Sequence, residues 1–290
     1  MRTIAFPVNT YSRTLSPTLP IAEPSVIMPN LGPVQGLYAV LTVSVAGATA
    51  AETSETIEKV LAALQAQDQF GGVVLDVFGT DLSALNDILQ PRGVRTTPPA
   101  ITTDFDGYGT ASWSVFLPVT CGAKDMPAKF QLVWAPTSVL QNGSLTSAGT
   151  VTVTFNVRGA YSTQTDQPTL RVKAQSTPHQ AGDNSLQAYL PNGEQVEALA
   201  WTLETPGSSD ANFGYVTLTV GGAFFLNQAG ALDFTQQDIM LMQSGHLDGE
   251  YICRVPVFVV DSTTTMNVHL ASDTSIRLYT ISTVPQKRAS

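Results

Sequence analysis

Leu37 to Val45 reads LYAVLTVSV, and its apolar residues fall on every second position: Leu37, Ala39, Leu41, Val43 and Val45. A period of two puts them on one face of a strand, and the β-branched content agrees. Alternation, or a short apolar run of strand length, recurs at Ala111–Val119 (ASWSVFLPV), Ala128–Ala135 (AKFQLVWA) and Val151–Gly159 (VTVTFNVRG). It returns at Glu197–Glu204, Tyr215–Gly221, Ile252–Asp261, Met266–Leu270 and Ser275–Ser282, with a shorter candidate at Leu170–Ala174. Turn-rich pieces such as CGAKDMP and PTSVLQNGSLTSAG separate the runs.

One stretch departs from this pattern. In Ala50–Gln67 (AAETSETIEKVLAALQAQ), Ile57, Val60, Leu61 and Leu64 recur at helical spacing, with Thr53 or Ser54 as caps. The spacing predicts a helix near 52–67. Leu82–Leu89 (LSALNDIL) reads as a short second helix with Asp81 as its cap and Pro91 as its stop. Later in the chain only Phe234–Met242 can be read as helical.

The chain also repeats a phrase. Phe70–Gly79 is FGGVVLDVFG and Phe213–Gly222 is FGYVTLTVGG; Phe, Gly, Val, Leu, Val and Gly coincide in register. In both, Val, Leu and Val alternate along a strand, and glycines stand at its ends where turns need an unhindered backbone. Looser matches follow, FQLVWAP with CRVPVFVVD and then TVTVTFNV with TTMNVHL. Two similar β units in tandem are the economical reading of this pattern.

Before the first unit lies a stretch with Pro7, Pro17, Pro20, Pro24, Pro29 and Pro33. Proline is excluded from helix interiors and sheet centres, so 1–33 is expected to be an extended arm. Its scattered apolar residues, among them Ile4, Phe6 and Tyr11, suit an arm docked on its own domain or on a neighbour. Residues 34–162 form the first β unit and 185–283 the second. A polar stretch with Pro168 and Pro178, 163–184, makes the expected linker, and 284–290 is a short basic tail.

Composition sharpens this. At 290 residues with 43% hydrophobic content, the chain is long enough to bury a sizeable core. Only 13% is charged, against roughly 25% in ordinary soluble domains. Interface cores are depleted in charge, so such a surface suits coverage by neighbouring subunits. The net charge of −9 argues against direct nucleic-acid binding, because phosphate backbones repel an acidic body. The bases are unevenly spread: Arg2 and Arg13 precede the first acid, Glu23, and Lys287 and Arg288 close the chain. Both ends therefore suit an acidic surface such as a membrane or a partner.

Two cysteines, Cys121 and Cys253, lie in or beside apolar runs, as small hydrophobes do; their pairing is left open. MRTIAFPVNTYSRTLSP has no apolar core of a secretory signal, and no stretch of about 20 mostly apolar residues appears.

Candidate chemistry is sparse. DFDGYG (104–109) starts like a calcium loop but lacks the third acid and the distal Glu, so it reads as a turn. His179, His246 and His269 have no metal-binding spacing. No nucleophile elbow, Cys–His pair or phosphate loop is present. Asn142-Gly-Ser is a formal glycosylation sequon that reads as a tight turn. No catalytic residue, metal, cofactor or small-molecule substrate is assigned.

An apolar proline-rich arm, two tandem β units and a basic tail together resemble a viral major capsid protein of the jelly-roll lineage. That lineage includes adenovirus and the tailless, membrane-containing icosahedral phages, those infecting Thermus among them. The resemblance implies an all-β fold of two tandem jelly-roll-like barrels or sandwiches, with one or two short helices inserted in the first. It implies a structural, non-enzymatic virion protein assembling with itself and other capsid proteins, over an internal membrane. Arg2, Phe6, Tyr11, Arg13, Lys287 and Arg288 would then be the assembly or membrane contacts. Two rivals differ in class. A tandem β-sandwich binding module (fibre, adhesin or carbohydrate-binding) predicts an exposed aromatic patch at Trp113, Trp134 or Trp201. A β-sandwich hydrolase predicts a strongly shifted carboxylate in a cleft.

Overall fold

Alternation along the sequence becomes alternation of burial in the computed structural model of the chain. The structure describes residues 3–29, 31–48, 53–68, 71–83, 85, 97–117, 127–143, 149–162, 170–203, 210–233, 245–247, 250–253 and 257–283. The chain divides into two units, Met1–Thr169 and Leu170–Ser290.

Strands of the first unit are β1 (Thr3–Thr14), β2 (Ile21–Ala22), β3 (Val26–Ile27), β4 (Val34–Ala46), β5 (Thr53–Thr56) and β6 (Leu61–Asp68). They continue with β7 (Val73–Phe78), β8 (Ala100–Thr102), β9 (Gly109–Leu117), β10 (Pro127–Trp134) and β11 (Thr150–Ser162). One sheet has the order β1-β11-β4-β9; in the other, β7-β6-β10 continues to β2 and β3. β5 and β8 form a small separate pair. The predicted face of β4 is buried: Leu37, Leu41 and Val43 are inaccessible, and Ala39 and Val45 nearly so. Trp134 and Phe155 meet edge to face, with ring centroids 6.3 Å apart.

The second unit contains β12 (Leu170–His179), β13 (Gly182–Ser185), β14 (Gln195–Leu203), β15 (Phe213–Val220), β16 (Ala223–Ala229), β17 (Gly245–Leu247) and β18 (Glu250–Cys253). It ends with β19 (Phe258–Val259), β20 (Thr265–Leu270) and β21 (Thr274–Thr283). Its sheets are β12-β21-β14-β18-β17 and β13-β20-β15-β16, with β19 on β14. Phe213 stacks on Tyr251 at 4.2 Å and Tyr251 on Trp201 at 5.7 Å, an aromatic column in the core.

In both units the first strand pairs with the last and the second with the last but one. Two facing sheets wound in this order are a jelly roll. The tandem reading of the sequence therefore holds, but the phrase that suggested it matches strands that are not equivalent. FGGVVLDVFG builds β7, whereas FGYVTLTVGG builds β15, whose counterpart in the first unit is β6, the neighbour of β7. The glycines differ accordingly. Gly71, at φ +84°, makes the turn before β7, where the Asp68 carboxylate accepts the Gly72 amide at 2.7 Å. Gly221 and Gly222, both at positive φ, make the two-residue hairpin after β15.

The helix expected near 52–67 is absent. Thr53–Thr56 is a strand, Ile57–Val60 a single 3-10 turn and Leu61–Asp68 a strand paired to β7 and β10. The helical spacing has a local cause. Trp134 pairs with Leu61 but its neighbour Val133 pairs with Ala63, so a bulge adds one residue to β6. Leu61 and Leu64, three apart, then both face the core, and the 3-10 turn buries Ile57 and Val60 just before them. The second helix begins as expected, with Leu82, Ser83 and Leu85 helical; residues beyond them, and the 234–242 candidate, lie outside the described residues.

Strands also form outside the two stretches read as β units. The arm docks on its own unit as a long strand: β1 pairs with β11 from Thr3 to Thr14, with one bulge between Pro7 and Asn9. Much of the linker is strand as well, because β12 pairs with β21 along its whole length. Val172 is the one residue of β12 that is fully buried, so the strand carries little hydrophobic signal and is held by its backbone ladder.

Candidate assembly surfaces

The outer face of the β1-β11-β4-β9 sheet is a grid whose rows run across four strands. From one end the rows are Pro7, Arg158, Tyr38 and Phe116; Thr10, Asn156, Val40 and Ser114; Ser12, Thr154, Thr42 and Ser112; Thr14, Thr152, Ser44 and Thr110. Arg158 is the one charge among them. The last two rows are wholly Ser and Thr, and their hydroxyls hydrogen-bond across strands, Thr42 to Ser112 at 3.0 Å and Ser44 to Thr110 at 3.1 Å. At the first row the face turns apolar. Tyr38 and Val40 are exposed, and the Tyr38 and Phe116 rings lie 4.9 Å apart. A hydroxyl-laced face with one charge and an aromatic end can be covered with little charge left unpaired.

At the opposite end of this sheet stands the DFDGYG segment. It is a turn, as its sequence indicates. Asp104 Oδ1 accepts the amides of Asp106 at 3.1 Å and Tyr108 at 2.8 Å, and the Asp104 amide donates to the Tyr108 carbonyl at 2.8 Å. Gly107, at φ +77°, lies against Ala48, whose amide donates to the Gly107 carbonyl at 3.1 Å. Held this way, the loop presents Phe105 at 93% exposure and Tyr108 at 59%. Sequence reading missed Tyr38, Phe105, Tyr108 and Arg158. The usable signal was an aromatic in a two-carboxylate turn, and an aromatic on the polar face of a strand.

The expected contact residues are not all free. Phe6 is 44% exposed on β1. Tyr11 is buried; it points inward against Phe130 at 6.4 Å, and burial raises its phenol above the ordinary value. Arg13 is engaged within the unit: its guanidinium donates to both oxygens of Glu23, at 2.8 and 3.2 Å, and this pairing raises its own pKa. Glu23 also accepts the Trp134 indole N–H at 2.9 Å. Arg2, Lys287, Arg288 and Cys121, and the side chain of Cys253, lie outside the described residues. Trp113, Trp134 and Trp201 are all buried, so none forms the exposed aromatic patch of a binding module.

Titratable groups in the second unit form two clusters. Glu194, nearly buried before β14, takes Arg171 at 3.0 Å, Lys173 at 3.3 Å and the Ser282 hydroxyl. Burial pushes its pKa up, but the hydrogen bond from Ser282 and the charges of Lys173 and Arg171 outweigh it and hold the carboxyl below its ordinary value. On the outer face of the second sheet, Asp183 accepts from Tyr215 at 3.1 Å and meets His269 Nδ1 at 2.8 Å. The His269 and Tyr215 hydrogen bonds lower Asp183. Both are structural pairings in a solvated or well-satisfied setting. Among the described residues no cluster of three His, Cys, Asp or Glu could hold a metal, and no helix is long and apolar enough to cross a membrane.

Taken together, two jelly rolls in one chain define the fold class: that of the double jelly-roll major capsid proteins of icosahedral viruses. The solved structures it is similar to make this specific. A chain of Sulfolobus Turreted Icosahedral Virus matches with a TM-score of 0.71 at 12% identity, covering 99% of this chain and 92% of that one. The major capsid protein P2 of bacteriophage PM2 matches at 0.57 and 10% identity over 99% of both chains. A chain of the PBCV-1 virus capsid matches at 0.63 and 10% identity over 97% of this chain and 93% of that one. No protein-family model and no curated protein matches the sequence.

Proposed function

We propose that this chain is a major capsid protein, a structural subunit that builds the icosahedral shell of a virion. The observation that carries this reading is the pair of jelly rolls with the same internal strand order, matched end to end by capsid subunits. The sparse charge and the grid of hydroxyls on the outer sheet fit it, because such faces lose little when neighbours cover them. The role is mechanical and non-enzymatic. Its partners are other copies of the chain and other virion proteins. The basic ends, Arg2 with Lys287 and Arg288, are assigned to acidic lipid headgroups or a minor protein beneath the shell. Arg13 leaves that set because Glu23 already holds it.

The test is assembly. Purified chain, with and without anionic vesicles, is followed by light scattering coupled to size exclusion and by negative-stain microscopy. Regular lattices or closed shells support the reading. Particles of no regular geometry under every condition, together with binding in a glycan screen, overturn it in favour of a binding module. Replacing Arg2, Lys287 and Arg288 with Gln should weaken vesicle-dependent assembly; unchanged assembly removes the lipid assignment.

A further inference from the structure

One end of the second unit is apolar where a hairpin turns. Gly221 and Gly222, both at positive φ, join β15 to β16, with Val220 opposite Ala223 and Thr219 opposite Phe224. A Cβ built on either glycine meets nothing within 4 Å, so the tip stands clear of its surroundings. Phe224 is 65% exposed. Its neighbour Phe225 is the extra residue of a bulge and packs on the core, its ring 5.6 Å from that of Phe258. The tip is pinned from behind and has little conformational freedom left to lose on binding.

Phe258 shows which end this is. It lies on β19, which pairs with Gln195 and Val196 at the start of β14. Gln195 also pairs with Thr283, the last residue of β21. On either side of Phe258, Val257 and Val259 are 60% and 45% exposed. One end therefore collects Phe224, Val257 and Val259, and the chain leaves it at Thr283. Lys287 and Arg288 follow within five residues, so covalent length alone keeps both within about 18 Å of that end.

Charge at this end favours an anionic occupant. No charged residue occurs between Asp210 and Asp233, so the hairpin carries none. Among the described residues, Glu194, Glu197 and Asp261 are the acids nearby. Glu194 is held by Arg171 and Lys173. Asp261 accepts the Thr263 amide at 2.8 Å and its hydroxyl at 2.7 Å. Glu197 is exposed where β14 bulges. Arg171, Lys173, Lys287 and Arg288 outnumber them. Single exposed apolar residues are ordinary, but an uncharged apolar tip with bases within reach suits the boundary between lipid headgroups and acyl chains.

We propose that the 219–224 hairpin tip, with Val257 and Val259 at the same end, enters the headgroup boundary of an anionic bilayer. The contact rests on the shell-subunit reading and extends its lipid assignment from the basic ends to a folded surface. A nucleic acid is a poor occupant, because the hairpin offers it no cation.

Tryptophan at the tip tests it. Trp113, Trp134 and Trp201 are buried, so in the full-length Phe224→Trp chain the added indole is the one that brominated lipids reach. Vesicles of phosphatidylcholine with phosphatidylglycerol should quench it strongly, and phosphatidylcholine alone weakly. Phe224→Asp and Val257→Asp should each weaken flotation with the anionic vesicles about tenfold or more. Phe105→Asp, at a still more exposed aromatic of the first unit, should leave flotation unchanged. All these positions are exposed, so an unchanged melting temperature verifies the fold of each variant. A chain that floats with neither vesicle, an unquenched indole in a chain that floats, flotation indifferent to both second-unit Asp variants, or equal quenching by both vesicles would each overturn the contact. Asp variants that lower self-association in sedimentation velocity without lipid would also overturn it, by assigning the tip to a protein neighbour. Shells that form while the tip stays unquenched leave the capsid reading standing, and quenching without shells under any condition does the reverse.

Discussion

The indole N–H of Trp134 donates to the carboxylate of Glu23 at 2.9 Å, inside the first jelly roll. Glu23 comes from the proline-rich segment between β2 and β3, and Trp134 ends β10. The bond ties the former to the core, and Arg13 covers the remaining carboxylate charge from the half-exposed side.

This arrangement orders three substitutions. Glu23→Ala strands a buried indole N–H and removes the partner of Arg13, and should cost about 1–3 kcal/mol. Glu23→Gln retains an acceptor for the indole and should cost less. Trp134→Ala empties the core at its largest side chain and should cost about 3–5 kcal/mol. Denaturant unfolding followed by near-ultraviolet circular dichroism checks the order; Glu23→Gln falling below Glu23→Ala contradicts it.

Truncating residues 3–14 should damage the first unit itself, beyond any effect on neighbours. β1 contributes buried Tyr11 and covers one edge of β11. Its loss opens β11 as an unpaired strand edge, a template for aggregation. Calorimetry should show the loss of the first unit's transition or a marked fall in its temperature, with the second unit's transition retained. A truncated chain with both transitions unchanged would show that β1 is dispensable.

Acid should weaken the second unit through Glu194. Its folded pKa lies below the ordinary value of 4.5, so its contribution is complete above about pH 4.5 and declines as pH falls through the folded value. Glu194→Gln should therefore cost stability at neutral pH and flatten the fall on acidification. Urea midpoints between pH 7 and pH 3 measure both. A wild type and variant with parallel pH profiles would assign the acid sensitivity elsewhere.

Gly107 should resist substitution. A Cβ there would sit 1.9 Å from the Ala48 carbonyl oxygen, at a φ of +77°. Gly107→Ala must distort the turn and should cost about 1–3 kcal/mol. Gly182, also at positive φ but with nothing within 4 Å of a built Cβ, should cost less, about 1 kcal/mol. Thermal shift compares the two, and equal losses would mean that the contact with Ala48 contributes nothing.

Much of the architecture can be read from the chain because strand burial is a local, period-two property. β4, β9, β11 and β20 each write their inward face in apolar residues, and the glycine pair at 221–222 writes its hairpin. The Asp104 turn is legible for the same reason, since its hydrogen bonds close within five residues. The amino-acid sequence alone thus determined an all-β chain of two units with a sparsely charged surface. What stayed hidden depends on partners distant in the chain. β1 and β12 are strands because β11 and β21 offer them a full ladder, whatever their prolines and polar residues suggest. β6 looked helical because one bulge opposite Trp134 shifted its period. Tertiary structure likewise decided that Tyr11 turns inward and that Glu23 holds Arg13, and that Tyr38, Phe116 and Arg158 share a face, with the Phe105 turn at the opposite end of the sheet. Register across strands sets such neighbourhoods, and register is fixed by pairing between segments that no local window of sequence contains.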